Sequence, residues 1–202
     1  MKLYSNRYAP SPRRVRMFAA EKGLSLDIVE VDIRANETQG HDFLAVNPRG
    51  EVPVLELDDG SLLTESLAIC RHLECLYPEP NLWGITQLEQ AEINSMVDRL
   101  MFRLYIPVAQ AFRHGHSFWA GRVEQVPAYA QVATQSAIKE LHSLDSMLDG
   151  RPYLCAERFT AADIVGFTTT DFAKAIGLRP EPHQVNLRRW LDIISARPSA
   201  TA

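Results

Sequence analysis

The spacing of hydrophobic and polar residues predicts two different regions on either side of a proline pair, Pro78 and Pro80. Before the pair, short apolar segments alternate with segments of helical spacing, and after it only helical spacing remains. Two prolines so close together disfavour a helix and favour a stiff, extended linker. We therefore predict a first domain of residues 1–78, a linker of residues 79–86 and an all-helical domain of residues 87–202.

Within the first domain the pattern predicts strands and helices in the order βαβ followed by ββα. The polar turn Asp58-Asp59-Gly60 joins the last two strands as a hairpin. The predicted strands are Lys2 to Tyr4, Leu26 to Val31, Val54 to Leu57 and Ser61 to Leu63, and the predicted helices are Arg13 to Lys22, His41 to Val46 and a segment marked by Leu67, Ile69, Leu73 and Leu76.

The second domain is predicted to be a bundle of long helices. Their approximate ranges are 87–114, 131–148, 161–176 and 185–196. Thr160 followed by Asp163 has the sequence of a capping box, which Phe159 and Ile164 can close as a hydrophobic staple. We interpret this motif as a folding device and not as a catalytic one.

Composition and charge argue against two classes of partner, nucleic acids and membranes. The 202 residues carry a formal charge of −4, and 46% of them are hydrophobic. The tightest basic cluster, Arg13, Arg14 and Arg16, is too small for an extended nucleic-acid surface. No apolar run approaches the roughly 20 residues that span a membrane. We therefore expect a cytoplasmic protein that binds neither nucleic acid nor membrane, and the three cysteines lack metal-site spacing, so no metal is expected.

Two neighbouring segments have the chemistry to bind a peptide with an anionic end. Pro53, between two valines at the entry to a strand, cannot donate to a sheet ladder. If the bond before it is cis, the N–H and C=O of Val52 turn outward and can pair with an extended peptide. Glu65 and Ser66 stand at the start of a helix, where free N–H groups and the helix dipole favour an anion.

The motif Asn47-Pro48-Arg49-Gly50-Glu51-Val52-Pro53, followed by the acidic hairpin and Glu65-Ser66, resembles the glutathione transferase superfamily. The likeness extends over nearly the whole chain, because the capping box and the helical pattern also match. It implies an α+β N-terminal thioredoxin-like domain, βαβ-ββα, followed by an all-α helical bundle. It also implies glutathione as the cosubstrate.

The resemblance assigns the glutathione-binding residues one by one. Val52 would pair its backbone with the cysteinyl part of glutathione, and Pro53 would follow the cis bond. Glu65 would hold the γ-glutamyl ammonium, and Ser66 would hold the carboxylate. The alternative is that Glu65 and Ser66 only cap the helix.

The glycine carboxylate of glutathione needs a donor from the segment before Asn47. Gln39 and His41 are the polar side chains within reach in the sequence. Arg49 is a further candidate, although an arginine in a turn is more often simply solvated.

The residue that stabilises the thiolate does not follow directly from the resemblance. In serine- and cysteine-type members it stands six positions before the valine of the stretch that is here Arg14-Val15-Arg16, and that position is Ala9. The candidates that remain are Ser11, Ser5 and Tyr8, of which we favour Ser11 because it stands at the start of a helix. Ser11 is equally compatible with a simple N-cap before a proline.

The second substrate is expected to be a small hydrophobic electrophile in a cleft between the domains. The candidate residues for contact with it are Tyr8, Phe102, Tyr105, Phe112 and His114, although aromatics at helical spacing more often pack inward. The resemblance also implies a homodimer.

Three functions are compatible with these observations. The first is a glutathione transferase that activates the thiolate for attack on the electrophile. The second is a glutathione-dependent thiol oxidoreductase or peroxidase, which needs a cysteine that residues 5–12 do not contain. The third is a noncatalytic glutathione-binding or regulatory protein with the same fold.

Overall fold

The computed structural model describes all residues from 1 to 202, which form two compact units. Unit 1 comprises residues 1–82 together with residues 198–202, and unit 2 comprises residues 83–197. No helix of the chain has both the length and the apolar composition that crossing a lipid bilayer requires.

Unit 1 is a four-stranded mixed sheet with three helices. Its strands are β1 (Lys2–Ser5), β2 (Asp27–Glu30), β3 (Val54–Glu56) and β4 (Leu62–Thr64), and its helices are α1 (Pro10–Glu21), α2 (His41–Val46) and α3 (Ser66–Leu76). The strand order is β2-β1-β3-β4. β1 pairs in parallel with β2 and antiparallel with β3, and β3 pairs antiparallel with β4. This is the predicted thioredoxin-like arrangement.

The two central strands, β1 and β3, carry buried side chains on both faces of the sheet, since successive side chains point to opposite faces. Tyr4 of β1 and Val54 of β3 pack with Phe43 of α2, and the Tyr4 and Phe43 rings meet edge to face at 6.1 Å. Leu3 and Leu55, the neighbours of these two strand residues, are fully buried. The sheet therefore holds β3 firmly and fixes the segment that leads into it.

Helix α1 begins three residues before the predicted start at Arg13. Its first turn contains Pro10 and Pro12, which that turn tolerates because its N–H groups have no partner within the helix. Its last turn leads to Lys22, whose buried ammonium forms an ion pair with Glu74 of α3 and donates to the carbonyl of Pro80 at 2.7 Å. These contacts fix α1 to α3 and to the following segment.

Unit 2 is helical throughout. Its helices are α4 (Gln87–Leu100), α5 (Ile106–Gly115), α6 (Pro127–Met147), α7 (Ala161–Ala173) and α8 (Val185–Ser195). Between α4 and α5, residues 101–105 form a π-helical turn in which Ile106 N–H donates to the carbonyl of Met101. The prediction of one uninterrupted helix over 87–114 was therefore wrong in detail, because Pro107 has no N–H with which to continue the α-helical ladder.

The start of α7 has the predicted capping box. The Asp163 carboxylate accepts from the backbone N–H of Thr160 at 2.9 Å and from its hydroxyl at 3.2 Å. It also accepts from Leu154 N–H at 3.0 Å and from the indole of Trp190 at 2.9 Å. This carboxylate is fully buried and joins three parts of unit 2.

The last residues of the chain pack with unit 1, whereas the helical domain was predicted to extend to residue 202. The carbonyl of Ala200 accepts from the guanidinium of Arg13 at 2.9 Å, and the hydroxyl of Ser199 is hydrogen-bonded to Glu21. Both partners lie on α1, so the carboxyl-terminal segment closes over this helix.

Candidate functional site

The peptide-binding edge is formed by the residues immediately before β3. The Val52–Pro53 peptide bond is cis, as the resemblance implies. Val52 is half-buried and lies outside the strand pairing, and neither its N–H nor its C=O takes part in a hydrogen bond within the chain. Both groups are therefore available to an extended peptide that adds itself as a strand.

The loop that leads to Val52 is organised by Asn47. This side chain is buried, donates to the carbonyl of Glu51 at 2.7 Å and accepts from Arg49 N–H at 3.2 Å. Gly50, at a φ of 64°, lies so close to Gln39 that a Cβ would approach the Gln39 amide nitrogen to 2.3 Å. The loop is thus tightly packed, and glycine is required at position 50.

Glu65 and Ser66 stand side by side at the start of α3. Glu65 is exposed, and its carboxylate makes neither a cap nor an ion pair. Its backbone has a φ of 65° and a ψ of 112°, a conformation that is costly for a residue with a side chain. The geometry does not support the alternative that Glu65 caps the helix, because its side chain is directed to no helix N–H.

Ser66 is the first residue of α3 and is buried, with its hydroxyl oxygen 2.7 Å from the guanidinium of Arg14. Because Arg14 donates to this oxygen, the hydroxyl hydrogen of Ser66 can be donated to another acceptor. The buried Arg14 charge and the positive end of the α3 dipole both favour an anion beside Ser66.

Ser11 lies in the first turn of α1, not at its cap. The N-cap is Ala9, so the interpretation of Ser11 as an N-cap was wrong. Pro10 and Pro12 have no N–H, and Arg13 N–H donates to the carbonyl of Ala9 at 3.2 Å. Ser11 therefore contributes both the hydroxyl and the backbone N–H of this helix terminus.

The two alternatives to Ser11 have different surroundings. Ser5 is fully buried at the end of β1, where its hydroxyl accepts from the guanidinium of Arg16 at 2.6 Å. Burial lowers the pKa of that guanidinium, and the nearby Glu30 partly opposes the shift. Tyr8 is 67% exposed, with the guanidinium of Arg34 4.9 Å from its ring centroid.

The three candidate donors to the glycine carboxylate of glutathione make different contacts in the structure. Gln39 reaches the loop, because its amide lies 3.5 Å from the carbonyl of Gly50. His41 begins α2, and its exposed imidazole is 3.4 Å from Asp42. Arg49 belongs to the loop and forms an ion pair with Glu51 at 3.1 Å.

The aromatic candidates of unit 2 have unequal exposure. Phe102, in the π-helical turn, is 66% exposed, and Tyr105 is half-buried. Phe112 packs within an aromatic cluster of the same unit. The ring centroids around it lie at 4.7 Å for His116, 5.3 Å for Phe172, 5.9 Å for Phe118 and 6.4 Å for Trp119.

Comparison with known proteins identifies the family. Residues 8–76 match the glutathione S-transferase N-terminal domain, and residues 102–198 match the glutathione S-transferase C-terminal domain. The chain is 34% identical to glutathione S-transferase 2 of Saccharomyces cerevisiae over 98% of this chain and 87% of that protein. The chain belongs to the glutathione S-transferase family. Its activity is accordingly that of a glutathione transferase.

Solved structures agree with this assignment. The crystal structure of Gtt2 from Saccharomyces cerevisiae matches with a TM-score of 0.92 and 33% identity, covering 98% of both chains. A glutathione S-transferase domain-containing protein from Marinobacter aquaeolei also matches with a TM-score of 0.92, at 32% identity over 98% of this chain and 99% of that chain. The predicted fold is confirmed for both parts of this glutathione transferase.

Two of the three cysteines of this glutathione transferase have surroundings that disfavour the thiolate. Burial raises the pKa of Cys70 to about 12, although the charge of Arg14 opposes the shift. Burial also raises the pKa of Cys155 to about 12. Because the thiolate is the reactive form, burial makes Cys70 and Cys155 poor candidates for thiol exchange, and Cys75 is an exposed residue of α3.

The roles of two residues of the candidate site were missed by sequence reasoning. Arg14 was noted only in the basic cluster and in the Arg14-Val15-Arg16 stretch, yet it is buried and donates to the hydroxyl of Ser66. A signal was present, because Arg14 adjoins Val15 on the apolar face of α1. Asn47, which organises the loop before β3, was signalled by the tendency of asparagine to bond to the backbone two residues later.

Proposed function

We propose that glutathione lies along the edge of unit 1 that begins at Val52, with its γ-glutamyl end at Glu65 and Ser66. The observation that carries this proposal is the exposed Glu65 carboxylate beside Ser66, whose hydroxyl Arg14 holds at 2.7 Å. A carboxylate and a hydroxyl backed by a cation match the ammonium and the carboxylate of an α-amino acid.

The middle of the peptide binds through the backbone. The N–H and C=O of Val52, which have no partner in the chain, exchange hydrogen bonds with the cysteinyl residue of glutathione. This contact orients the thiol along the sheet edge without help from a side chain. The glycine carboxylate then binds at Gln39, with His41 and Arg49 as the alternative donors.

Ser11 is the proposed donor to the glutathione sulfur. The thiolate is the nucleophile, and it is favoured by a hydrogen bond to the sulfur and by the positive end of α1. Each unit of pKa corresponds to about 1.4 kcal/mol of preference for the charged form. Ser5, fully buried beneath Arg16, is a weaker candidate than Ser11, and Tyr8 remains as the second choice.

The thiolate attacks a small hydrophobic electrophile. Each unit offers its own candidates for contact with it, Tyr8 in unit 1 and Phe102, Tyr105 and Phe112 in unit 2. Tyr8 and Phe102 each expose about two thirds of their surface, 67% and 66%, and so offer apolar area to a ligand. Phe112 contributes through the aromatic cluster that it anchors. The electrophile is proposed to be uncharged on this basis.

We also propose a cytoplasmic homodimer. The three cysteines are free thiols, as is usual in a reducing compartment. Exposed apolar side chains such as Leu62, at 46%, offer area for a second copy of the chain. Sedimentation velocity tests the dimer, and a monomer at micromolar concentration would contradict it.

Titration of the absorbance of bound glutathione thiolate against pH tests the role of Ser11. Removing a hydrogen bond to a charged group costs about 1.5–3 kcal/mol, so Ser11→Ala is expected to raise the thiol pKa by about one to two units. Ser25→Ala, at an exposed position of the same unit, is the matched control and should leave the pKa unchanged. An unshifted pKa in Ser11→Ala would move the assignment to Tyr8.

A further inference from the structure

Three metal-ligating side chains meet on the surface of unit 2, in a place that the transferase reaction does not use. They are His142 on α6 and Glu181 and His183 in the segment before α8, and all three are exposed. Their ligand atoms all lie within 4.8 Å of one another. We propose that these residues form a binding site for a divalent transition metal of the zinc class.

The donor set has the chemistry of such an ion. Two imidazoles and one carboxylate suit Zn²⁺, whereas Ca²⁺ and Mg²⁺ prefer oxygen ligands alone. With bonds of about 2.0–2.2 Å, a tetrahedral ion requires ligand atoms somewhat more than 3 Å apart. Nδ1 of His183 already lies 3.3 Å from a carboxylate oxygen of Glu181. Rotation of the exposed His142 side chain closes the remaining distance.

The backbone that carries the ligands is already fixed. Gln184, between the second histidine and α8, is buried at 2% exposure, and its side-chain oxygen accepts from Glu181 N–H at 2.7 Å. The carbonyl of Glu181 accepts from Gln184 N–H at 3.0 Å. Metal binding therefore needs to order only side chains on this segment, and the entropy cost is small.

The same segment is joined to the helix that carries His142. Asp145, three residues further along α6, accepts from Leu187 N–H in the first turn of α8 at 2.8 Å. The rings of His142 and His183 meet edge to face with centroids 5.7 Å apart. Ligands that are 39 and 41 residues apart in sequence are thus held together by structure that does not depend on the ion.

A simple surface ion pair is the competing explanation. Glu181 and His183 are exposed, and such a pair contributes little to stability. It also gives no role to His142. The two explanations differ in what the removal of His142 does to metal affinity, since only the metal site includes that residue.

Calorimetric titration of the untagged, chelator-treated protein with ZnCl₂ tests the proposal. One site per chain is expected. His142→Asn, His183→Asn and Glu181→Gln should each weaken it at least about tenfold, since losing even an outer hydrogen-bond partner of a ligand costs 10- to 100-fold. His72→Asn removes a histidine of unit 1 as the matched control and should leave the affinity unchanged.

Thermal unfolding gives a second readout that does not involve transferase activity. Zn²⁺ should raise the melting temperature of the wild type and of His72→Asn, and should raise that of His142→Asn by less at the same concentration. Circular dichroism of the metal-free variants checks that each one is folded. The proposal is overturned if no binding is measured at about 100 µM Zn²⁺, or if His142→Asn and His183→Asn bind it as the wild type does.

Discussion

The starts of α3 and α7 each carry a carboxylate, and the two are used in opposite ways. Asp163 at the start of α7 is fully buried, and four donors of unit 2 bind its two oxygens. Glu65 at the start of α3 is exposed, makes no cap, and has a positive φ of 65°. Glu65 is the N-cap of α3, and Asp163 is the third residue of α7. The positive end of a helix dipole favours a carboxylate at either place, so the dipole alone does not explain the difference.

Asp163 and Glu65 differ in which groups donate hydrogen bonds to their carboxylate oxygens. Every donor to Asp163 comes from the chain itself, so its hydrogen bonds belong to the folded state and leave no oxygen for a ligand. The oxygens of Glu65 have no donor in the chain, and the local backbone is strained. We propose that a carboxylate placed in this way stabilises a bound ammonium and not the fold. The comparison thus distinguishes Asp163, whose partners all lie in the fold, from Glu65, which we propose as a binding residue.

The largest expected effect is that of Asp163→Ala on stability. The change leaves the N–H groups of Thr160, Leu154 and Trp190 buried without an acceptor. We expect the free energy of unfolding to fall by about 3–5 kcal/mol, as when one partner of a buried polar network is removed. Urea unfolding measures this loss. Glutathione affinity of the folded fraction should not change, and a loss of less than about 1 kcal/mol would contradict the structural role.

Glu65→Ala should have the converse effect. Loss of a charged hydrogen bond costs about 1.5–3 kcal/mol, so glutathione affinity should fall about ten- to a hundredfold. Unfolding by urea should be unchanged, because the exposed side chain makes no capping hydrogen bond and alanine retains the same strained φ. Asp27→Ala removes an exposed carboxylate from β2, at the other edge of the sheet, as the control. Unchanged affinity in Glu65→Ala would remove this residue from the site.

Glu65→Gly sharpens the comparison with a smaller effect. Glycine adopts a positive φ without a steric penalty. The free energy of unfolding of Glu65→Gly should therefore be about 1 kcal/mol higher than that of Glu65→Ala. Glutathione affinity should fall as in the alanine variant. Urea unfolding of the two variants side by side makes the measurement. If glycine does not stabilise the protein relative to alanine, the backbone at position 65 is not strained in solution.

The smallest effect concerns pH. Burial raises the pKa of Asp163 above its ordinary value of 3.8, although the donors that bind it oppose the shift. Between the two values the folded chain holds a proton that the unfolded chain has released, so this carboxyl group lowers stability as pH rises through that window. Asp163→Asn has no ionisable group at this position, so this pH-dependent loss of stability disappears. Urea unfolding from pH 3.8 upward should therefore give the variant a less negative slope of stability against pH than the wild type.

Much of the fold follows from residue patterns, and the exceptions have physical causes. The helix over residues 41–46 and the capping box at Thr160 were predicted because local spacing determines them. The π-helical turn at residues 101–105 was missed because the effect of Pro107 on the turn before it depends on tertiary packing. The return of Ala200 to α1 is a contact 187 residues away in sequence, which no local pattern reveals.

In the candidate site, too, the features set by local sequence were predicted and those set by tertiary packing were not. The cis bond at Pro53 and the position of Glu65 at a helix start belong to a contiguous motif, and sequence reasoning found them. Arg14 behind Ser66 was not found, because its burial depends on how α1 is rotated against α3. The assignment of Ser11 has the same difficulty, since the sequence does not show whether the helix begins before or after it.

Four calorimetric titrations test the central claim most directly. Wild type and Glu65→Ala are each titrated with glutathione and with the analogue that lacks the γ-glutamyl α-amino group. If Glu65 binds the ammonium, the substitution weakens glutathione about ten- to a hundredfold and leaves the affinity for the analogue unchanged. If the substitution weakens both ligands by the same factor, Glu65 does not bind the ammonium, and the proposed orientation of glutathione is wrong.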